Sequence, residues 1–280
     1  DSVTGVGFQP DLVWVKNRNV AVSNVLFDSV RGSNKTIYSN LTNAEDTQPT
    51  GAQSFLPDGF SFSGDWSPTD ANGNNYVMWA WKGAEIPAIN SNGSIPSVVS
   101  ANPAAGFSIV SYSGNSNASA TIGHGLGVQP KFVVVKRLQG GYNWMVGYLD
   151  GGVQHSLYLN TTAARDNELN RSPIAFTENT FKPSTIVGDH TNGTGSTYIA
   201  YCFAEVAGFS KFGSYNGTGV AGNKQTTGFE PAFIMLKHTT KPFDWYILDN
   251  KRNPTNPVKA ILFPNLSSTE ANAGSGINFE

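Results

Sequence analysis

One phrase occurs three times along the chain and limits what the chain can fold into. A glycine stands three residues before a proline, and a short apolar segment that ends in lysine follows. The copies are residues 7–16, 127–136 and 228–237, so they begin 120 and then 101 residues apart. Consecutive large apolar residues in so short a segment are typical of a β-strand buried on both faces. Recurrence of the phrase indicates a strand-rich unit repeated in tandem.

Other phrases follow the first in a constant order. A second apolar segment ends in an aspartate, and we interpret three of these as corresponding positions: Asp28, Asp150 and Asp249. An asparagine-led turn comes next in each copy: Asn40, Asn160 and Asn265. Aromatic segments 76–81 and 198–203 complete the first two copies, and the third copy ends before this point. We therefore expect that the natural chain continues in both directions, or that neighbouring chains complete the ends.

Composition favours strands and tight turns over helices. Only 14% of the residues are charged and 30 are glycine, so polarity comes from amides and hydroxyls, which suit turns. No window has a sustained apolar stripe of helical period. The predicted fold class is all-β, with tandem β-sandwich or jelly-roll-like modules. The predicted domains are a first β repeat with linker at 1–105, a second at 106–207 and a truncated third at 208–280.

Charge and motifs exclude several functions. The net charge is −2 and no basic run occurs, so we expect no nucleic acid partner. No apolar run of about 18 residues occurs, so we expect no membrane span. No nucleophile elbow, P-loop or dinucleotide-binding phrase is present. We predict that the chain is not an enzyme and carries no cofactor.

Metal binding is also not expected. The four histidines, at 124, 155, 190 and 238, form no close pair, and glycines on both sides of His124 indicate a turn. Residues 70–74 alternate oxygen ligands as a calcium loop does, but Asn72-Gly73 within them favours a hairpin turn. The single cysteine, Cys202, lies in an apolar segment and is predicted to be a small buried residue.

Aromatic residues next to polar, glycine-rich segments are the candidate binding residues. A ring face stacks on sugar C–H groups while nearby amides bind hydroxyls, so we predict possible glycan contact for a set of four: Trp66, Tyr142, Trp144 and Trp245. Trp144 and Trp245 also hold corresponding positions in two copies, which favours a core role for these two residues. The recurring aspartates are more typical of turn caps than of a glycosidase pair.

The repeated phrases resemble a known family. Residues 7–18, 28–32, 101–110 and 123–127 are similar to a repeat domain of unknown function that is common in tail-fibre and other virion structural proteins of marine tailed bacteriophages. The resemblance covers essentially the whole chain and includes no catalytic motif. Arg31 has no counterpart at the aligned position of the second copy, so a role for Arg31 is not general to the repeat.

That resemblance implies an extracellular location on the surface of the phage particle. The leading interpretation is a tail fibre or another host-facing adsorption appendage, with possible glycan contact. The alternatives are a capsid decoration or head-fibre protein and a polysaccharide-degrading, tailspike-like enzyme. The implied partners are other virion proteins, further copies of the chain in a homo-oligomer, and a host surface glycan.

Overall fold

The computed structural model describes residues 1–50, 54–165, 172–183 and 190–280. These residues form antiparallel strands and one short 3₁₀ turn, Pro103–Ala105, and they include no α-helix. The prediction of an all-β chain is confirmed. We refer to residues 1–83, 84–207 and 208–280 as the first, second and third units.

The first unit contains eight strands: β1 (Ser2–Thr4), β2 (Leu12–Asn17), β3 (Val25–Asp28), β4 (Gly32–Tyr38), β5 (Asp46–Thr47), β6 (Ser54–Leu56), β7 (Gly59–Ser61) and β8 (Tyr76–Trp81). The second unit contains nine: β9 (Ala88–Asn90), β10 (Ser97–Asn102), β11 (Phe107–Ser113), β12 (Ile122–Gly123), β13 (Phe132–Arg137), β14 (Met145–Asp150), β15 (Val153–Tyr158), β16 (Thr180–Phe181) and β17 (Thr197–Phe203). The third unit contains four: β18 (Phe233–Lys237), β19 (Trp245–Asp249), β20 (Val258–Ile261) and β21 (Ala271–Ile277).

Each unit has one main sheet. The first is five-stranded in the order β5-β4-β3-β2-β8, and the second is seven-stranded in the order β15-β14-β13-β17-β11-β10-β9. In the third unit β18 and β19 form a hairpin, and Ile247 and Leu262 link it to β20 through two backbone hydrogen bonds. Strands β9 and β10 lie in the predicted linker and extend the second sheet, so sheet membership does not follow the boundary predicted at residue 105.

The central hairpin has the same register in all three units. In each unit the residue two positions after the phrase proline lies opposite the residue 18 positions after that proline. The three pairs are Leu12 with Asp28, Phe132 with Tyr148, and Phe233 with Asp249. The glycine that opens the phrase has φ of +86°, +70° and +86° at Gly7, Gly127 and Gly228, a region that side chains rarely enter. The phrase therefore encodes the same turn and strand in each unit.

The three main sheets share one core. Their inner faces contribute to a single apolar cluster: Leu12, Trp14, Leu26 and Trp79 from the first unit; Ile109, Val134, Val146 and Tyr201 from the second; and Trp245, Ile247 and Leu262 from the third. Each outer face packs beneath a smaller sheet: β1-β7-β6 in the first unit, β12-β16 in the second and β20-β21 in the third. The predicted burial on both faces is confirmed for β2 and is weaker for β18, whose residues are all half-buried.

Two local predictions from sequence have different outcomes. Cys202 lies buried on β17, as predicted, and burial raises the pKa of its thiol to about 12. Asn72 and Gly73 lie in a turn that Asn74 N closes on Ala71 O, but the strand that follows pairs with β2. The turn prediction is therefore confirmed and the hairpin prediction is wrong, because β8 pairs with β2 while the preceding strand, β7, pairs with β1 and β6.

Candidate functional site

Several buried polar side chains bridge the units. The lysine that ends each repeated phrase donates a hydrogen bond to a backbone carbonyl of the neighbouring unit. Lys16 Nζ donates to Ser267 O of the third unit at 3.0 Å, and Lys136 Nζ donates to Thr42 O of the first at 3.0 Å. Lys237 Nζ donates to Thr162 O of the second at 3.1 Å. Each acceptor stands two residues after the asparagine of its turn, so the three contacts form a closed cycle.

Other contacts repeat the same cycle. Indole Nε1 of Trp144 donates to Tyr38 O, and that of Trp245 donates to Tyr158 O, each at 2.9 Å. Asn24 holds the corresponding position in the first unit, and its Nδ2 donates to Phe263 O at 3.1 Å. The three acceptors again correspond, because each lies two residues before its turn asparagine. The units therefore close into a ring in which the first contacts the third directly.

The first unit has a buried ionic cluster at its interface with the second. Asp28 and Arg31 form an ion pair, Arg31 Nε to Asp28 Oδ2 at 2.5 Å, and their side chains are 0% and 3% exposed. Arg31 also donates to Glu45 at 3.2 Å, and the Tyr201 hydroxyl of the second unit donates to Asp28 at 2.8 Å. Burial alone would lower the pKa of the Arg31 guanidinium, but the charges of Asp28 and Glu45 and the hydrogen bond to Asp28 together outweigh burial and hold that pKa above its usual value.

The third unit repeats this cluster at its interface with the first. Arg252 Nε donates to Asp249 at 2.7 Å, and Arg252 Nη1 donates to Glu270 at 2.9 Å. The Trp79 indole of the first unit donates to Asp249 at 3.1 Å, as Tyr201 does to Asp28. Arg18 adds two hydrogen bonds to Glu270, both at 2.8 Å. Burial by itself would raise the pKa of the Glu270 carboxyl. Hydrogen bonds and positive charge from Arg18 and Arg252 outweigh burial and keep that pKa below its usual value.

The second unit replaces the cluster, and here one prediction is wrong. The counterpart of Asp28 and Asp249 is Tyr148, because it has the same register opposite the repeated strand, whereas Asp150 lies two residues further on. Each counterpart stands 18 residues after its phrase proline, a spacing that the sequence contains and that identifies Tyr148. Arg165 holds the position of Glu45 and Glu270, five residues after the turn asparagine. The unit thus has a phenol and an arginine where the others have carboxylates.

The repeated lysines carry a cost of burial. Lys16 and Lys136 are 0% exposed, and burial lowers the pKa of each ammonium group to about 8. For Lys136 the positive charge of Arg137 lowers the pKa further. Burial also lowers the pKa of Lys237, while the Asp244 carboxylate opposes that shift. Such amines act as donors to carbonyls at the inter-unit interfaces.

The four predicted binding residues separate into two classes. Trp144 and Trp245 are 0% and 3% exposed and their indoles serve the inter-unit cycle, so neither ring offers a face to a surface ligand. Trp66 is half-buried against the outer core of the first unit, apart from the others. Tyr142 is half-buried, with the Arg137 guanidinium 4.1 Å from its ring centroid and the His190 ring 5.8 Å away. The structure does not bring these four residues together.

His124 is a structural residue in the second unit. Its side chain is buried, Nε2 donates to Thr177 O at 3.2 Å, and Nδ1 accepts from Leu126 N at 3.2 Å. Burial lowers the pKa of the imidazole, and the bond to Thr177 opposes that shift. Within the described residues no group of three or more His, Cys, Asp or Glu side chains is placed to hold a metal ion.

One comparison with known proteins gives a match. No curated protein and no solved structure matches the chain. In the part of the chain that the structure describes, no helix is long and apolar enough to cross a membrane. The family described as Domain of unknown function (DUF7483) matches residues 1–280, so the chain belongs to that family.

Proposed function

We propose that the chain is a structural module on the surface of a tailed-phage virion, in a tail fibre or another host-facing adsorption appendage. The observation that carries the proposal is the use of buried polar groups. The repeated lysines and the Asp–Arg–Glu clusters bind neighbouring units and face interfaces, not an open cleft. A chain that uses its charged groups in this way is suited to hold a rigid shape and present a surface.

The arrangement of carboxylates gives no support to the tailspike-like enzyme alternative. A glycosidase needs two carboxyl groups about 5–10 Å apart that both reach the substrate. Asp28 and Glu45 share Arg31, and Asp249 and Glu270 share Arg252. Each Asp is buried and each Arg stands between the two acids, so a sugar ring has no access to the pair.

Glycan contact is proposed for Trp66 and Tyr142, the two predicted residues that are half-buried rather than buried. Tyr142 lies beside a cation, Arg137, so its surroundings suit a sugar that carries a carboxylate. We further propose that each unit is a sandwich-like module of a homo-oligomer that binds other virion proteins.

Imaging of intact particles with an antibody fragment against this chain tests the location. Density on the tail or its fibres supports the proposal, density on the capsid lattice favours a decoration protein, and absence from the particle contradicts both. A glycan array tests the binding surface with Trp66→Ala and Tyr142→Ala, and with exposed Phe243→Ala as matched control. Unchanged sugar retention by both variants would remove these residues from the proposal.

A further inference from the structure

The segment between the first two copies of the repeat adds a surface that the third copy lacks. Residues 84–105 have no counterpart between the second and third copies, whose phrases begin 101 and not 120 residues apart. The segment places β9 and β10 at one end of the seven-stranded sheet, and no strand among the described residues pairs with the outer edge of β9. The second unit contains every repeated phrase, so this open edge belongs to the added segment and not to an incomplete repeat.

Two isoleucines beside this edge are the most exposed large apolar side chains of the described residues. Ile86 and Ile89 are 81% and 79% exposed. They border a groove of about 240 Å³ that is also lined by Ala88, Ala101 and Gly125 and by no charged side chain. A Cβ on Gly125 would lie 3.1 Å from the Ala101 Cβ, so glycine keeps the groove open. We call this surface the β9 groove.

The backbone that presents Ile86 is strained and firmly held. Glu85 has φ of +57°, a region that residues with a side chain rarely enter, and Ile86 N donates to Ala84 O across it. Ala84 N donates to Ser100 Oγ at 2.8 Å, and that hydroxyl donates to the buried Asp11 carboxylate at 3.3 Å. Strained residues persist where their surroundings hold them, and they cluster at functional sites. An isoleucine is thus held in solvent at a cost in stability, which a role in binding explains.

We propose that the β9 groove binds the β9 groove of a second copy of the chain across a twofold axis. A twofold contact requires a surface that is complementary to itself. The β9 groove combines projecting isoleucines with small residues that leave room for the isoleucines of a partner. The same patch therefore supplies both the side chain that enters and the space that receives it.

Charge at the border of the β9 groove is also complementary to itself. Lys82 and Glu85 form an ion pair of 3.3 Å, and their side chains are 42% and 55% exposed. One cation and one anion stand on each copy, so a twofold axis brings each charge near its opposite on the partner. A partner with a strong charge of one sign would gain nothing from this border.

The contact is packing of side chains and not addition of a strand. Pro87 precedes β9 and has no N–H, which interrupts backbone pairing along this edge. The groove offers only a few residues from each copy, against about 20–30 in a standard interface, so we expect a dissociation constant on the order of 0.1 mM. The inference rests on the homo-oligomer in the proposed function, because copies held together in a particle reach such concentrations locally.

Sedimentation equilibrium of the intact chain tests the proposal over a range from about 10 µM to about 0.5 mM. We expect a monomer–dimer equilibrium whose dissociation constant rises about tenfold or more in Ile89→Lys. Ala88→Phe fills the groove at an exposed position and weakens the dimer likewise, so the test does not depend on one variant. The matched control is Val153→Lys, at a 59% exposed residue on the opposite edge strand of the same sheet, and it leaves the dimer unchanged.

Mixing two variants tests the twofold axis. Ile89→Glu weakens self-association as Ile89→Lys does, and an equal mixture of the two recovers it because opposite charges then meet. A mixture that stays as weak as its components would overturn the twofold contact. A dimer that survives Ile89→Lys and Ale88→Phe overturns the inference and leaves the proposed homo-oligomer standing, whereas a monomer up to about 0.5 mM overturns both.

Discussion

Replacement of Lys136 by methionine tests whether a buried ammonium group holds the first and second units together. The side chain is 0% exposed, and its Nζ donates to Thr42 O at 3.0 Å and to Tyr142 O at 2.8 Å. Methionine keeps an unbranched apolar side chain, one atom shorter than lysine, and removes the donors of both hydrogen bonds. Two effects of opposite sign then compete, and only one of them depends on pH.

The size of the pH-dependent effect follows from the pKa. Burial lowers the pKa of Lys136 from 10.5 to about 8. Between these values the unfolded chain binds more protons than the folded chain, so stability rises with pH. Each unit of pKa shift corresponds to about 1.4 kcal/mol. Burial of this amine therefore lowers the free energy of unfolding by about 3 kcal/mol near pH 7 and by about 1 kcal/mol near pH 9.5. The wild-type contribution of this residue therefore improves by about 2 kcal/mol over that interval.

Methionine removes the cost of charge and leaves two buried carbonyls without this donor, which costs about 1–3 kcal/mol each. Near pH 7 the two terms largely offset each other, and near pH 9.5 the loss of hydrogen bonds dominates. We predict that the stability deficit of Lys136→Met grows by about 2 kcal/mol from about pH 7 to about pH 9.5. Urea denaturation at each pH measures it, with the 42% exposed Lys82→Met as control. A deficit independent of pH would refute the reasoning.

Three further predictions concern other buried groups. Arg31→Leu leaves the buried Asp28 carboxylate without its ion-pair partner and is expected to lower the free energy of unfolding by about 3–5 kcal/mol in urea denaturation. The double variant with Asp28→Asn is expected to recover part of that loss. A loss below about 1 kcal/mol would contradict a buried ion pair. Trp245→Phe removes the donor to Tyr158 O and is expected to cost about 1–3 kcal/mol in thermal or urea melts; full retention of stability would argue against that contact. For His124 the folded pKa lies below the unfolded value of 6.5, so the unfolded chain takes up the proton first and stability falls as pH drops below about 6.5. His124→Asn, which retains an acceptor for Leu126 N, removes that dependence, and an unchanged acid profile in the variant would assign it to another group.

Local features of the fold were predictable because they depend on neighbours in the sequence. Each Gly-x-x-Pro phrase gives a turn and then a strand, and the strand from Leu12 is buried on both faces as its composition predicts. The hairpin register was also accessible, because the 18-residue spacing from each proline pairs Tyr148, not Asp150, with Asp28. Matching the copies by residue type instead pairs Asp150 with Asp28, because both are aspartates, although Asp150 lies two positions further from its proline.

Closure of the ring was not predictable from the same patterns. It depends on contacts between residues far apart in sequence, such as the hydrogen bond from Lys16 to Ser267 O. The acceptor is a backbone carbonyl, which every residue has, so the sequence does not indicate which residue accepts. The role of Trp144 and Trp245 was ambiguous for a related reason, because an indole beside polar residues suits both a sugar and a buried carbonyl. Their burial decides between the two, and burial is a property of the assembled units.

Small-angle X-ray scattering of the isolated chain tests most directly whether the three units close around one core. A compact chain of this length has a radius of gyration of about 19 Å, and the closed ring predicts that value with a single symmetric peak in the distance distribution. Three units that contact only their neighbours in a row would give about 25 Å or more and a long tail in the distribution. That second result would contradict the direct contact between the first and third units, and with it the account of the buried lysines and ion pairs.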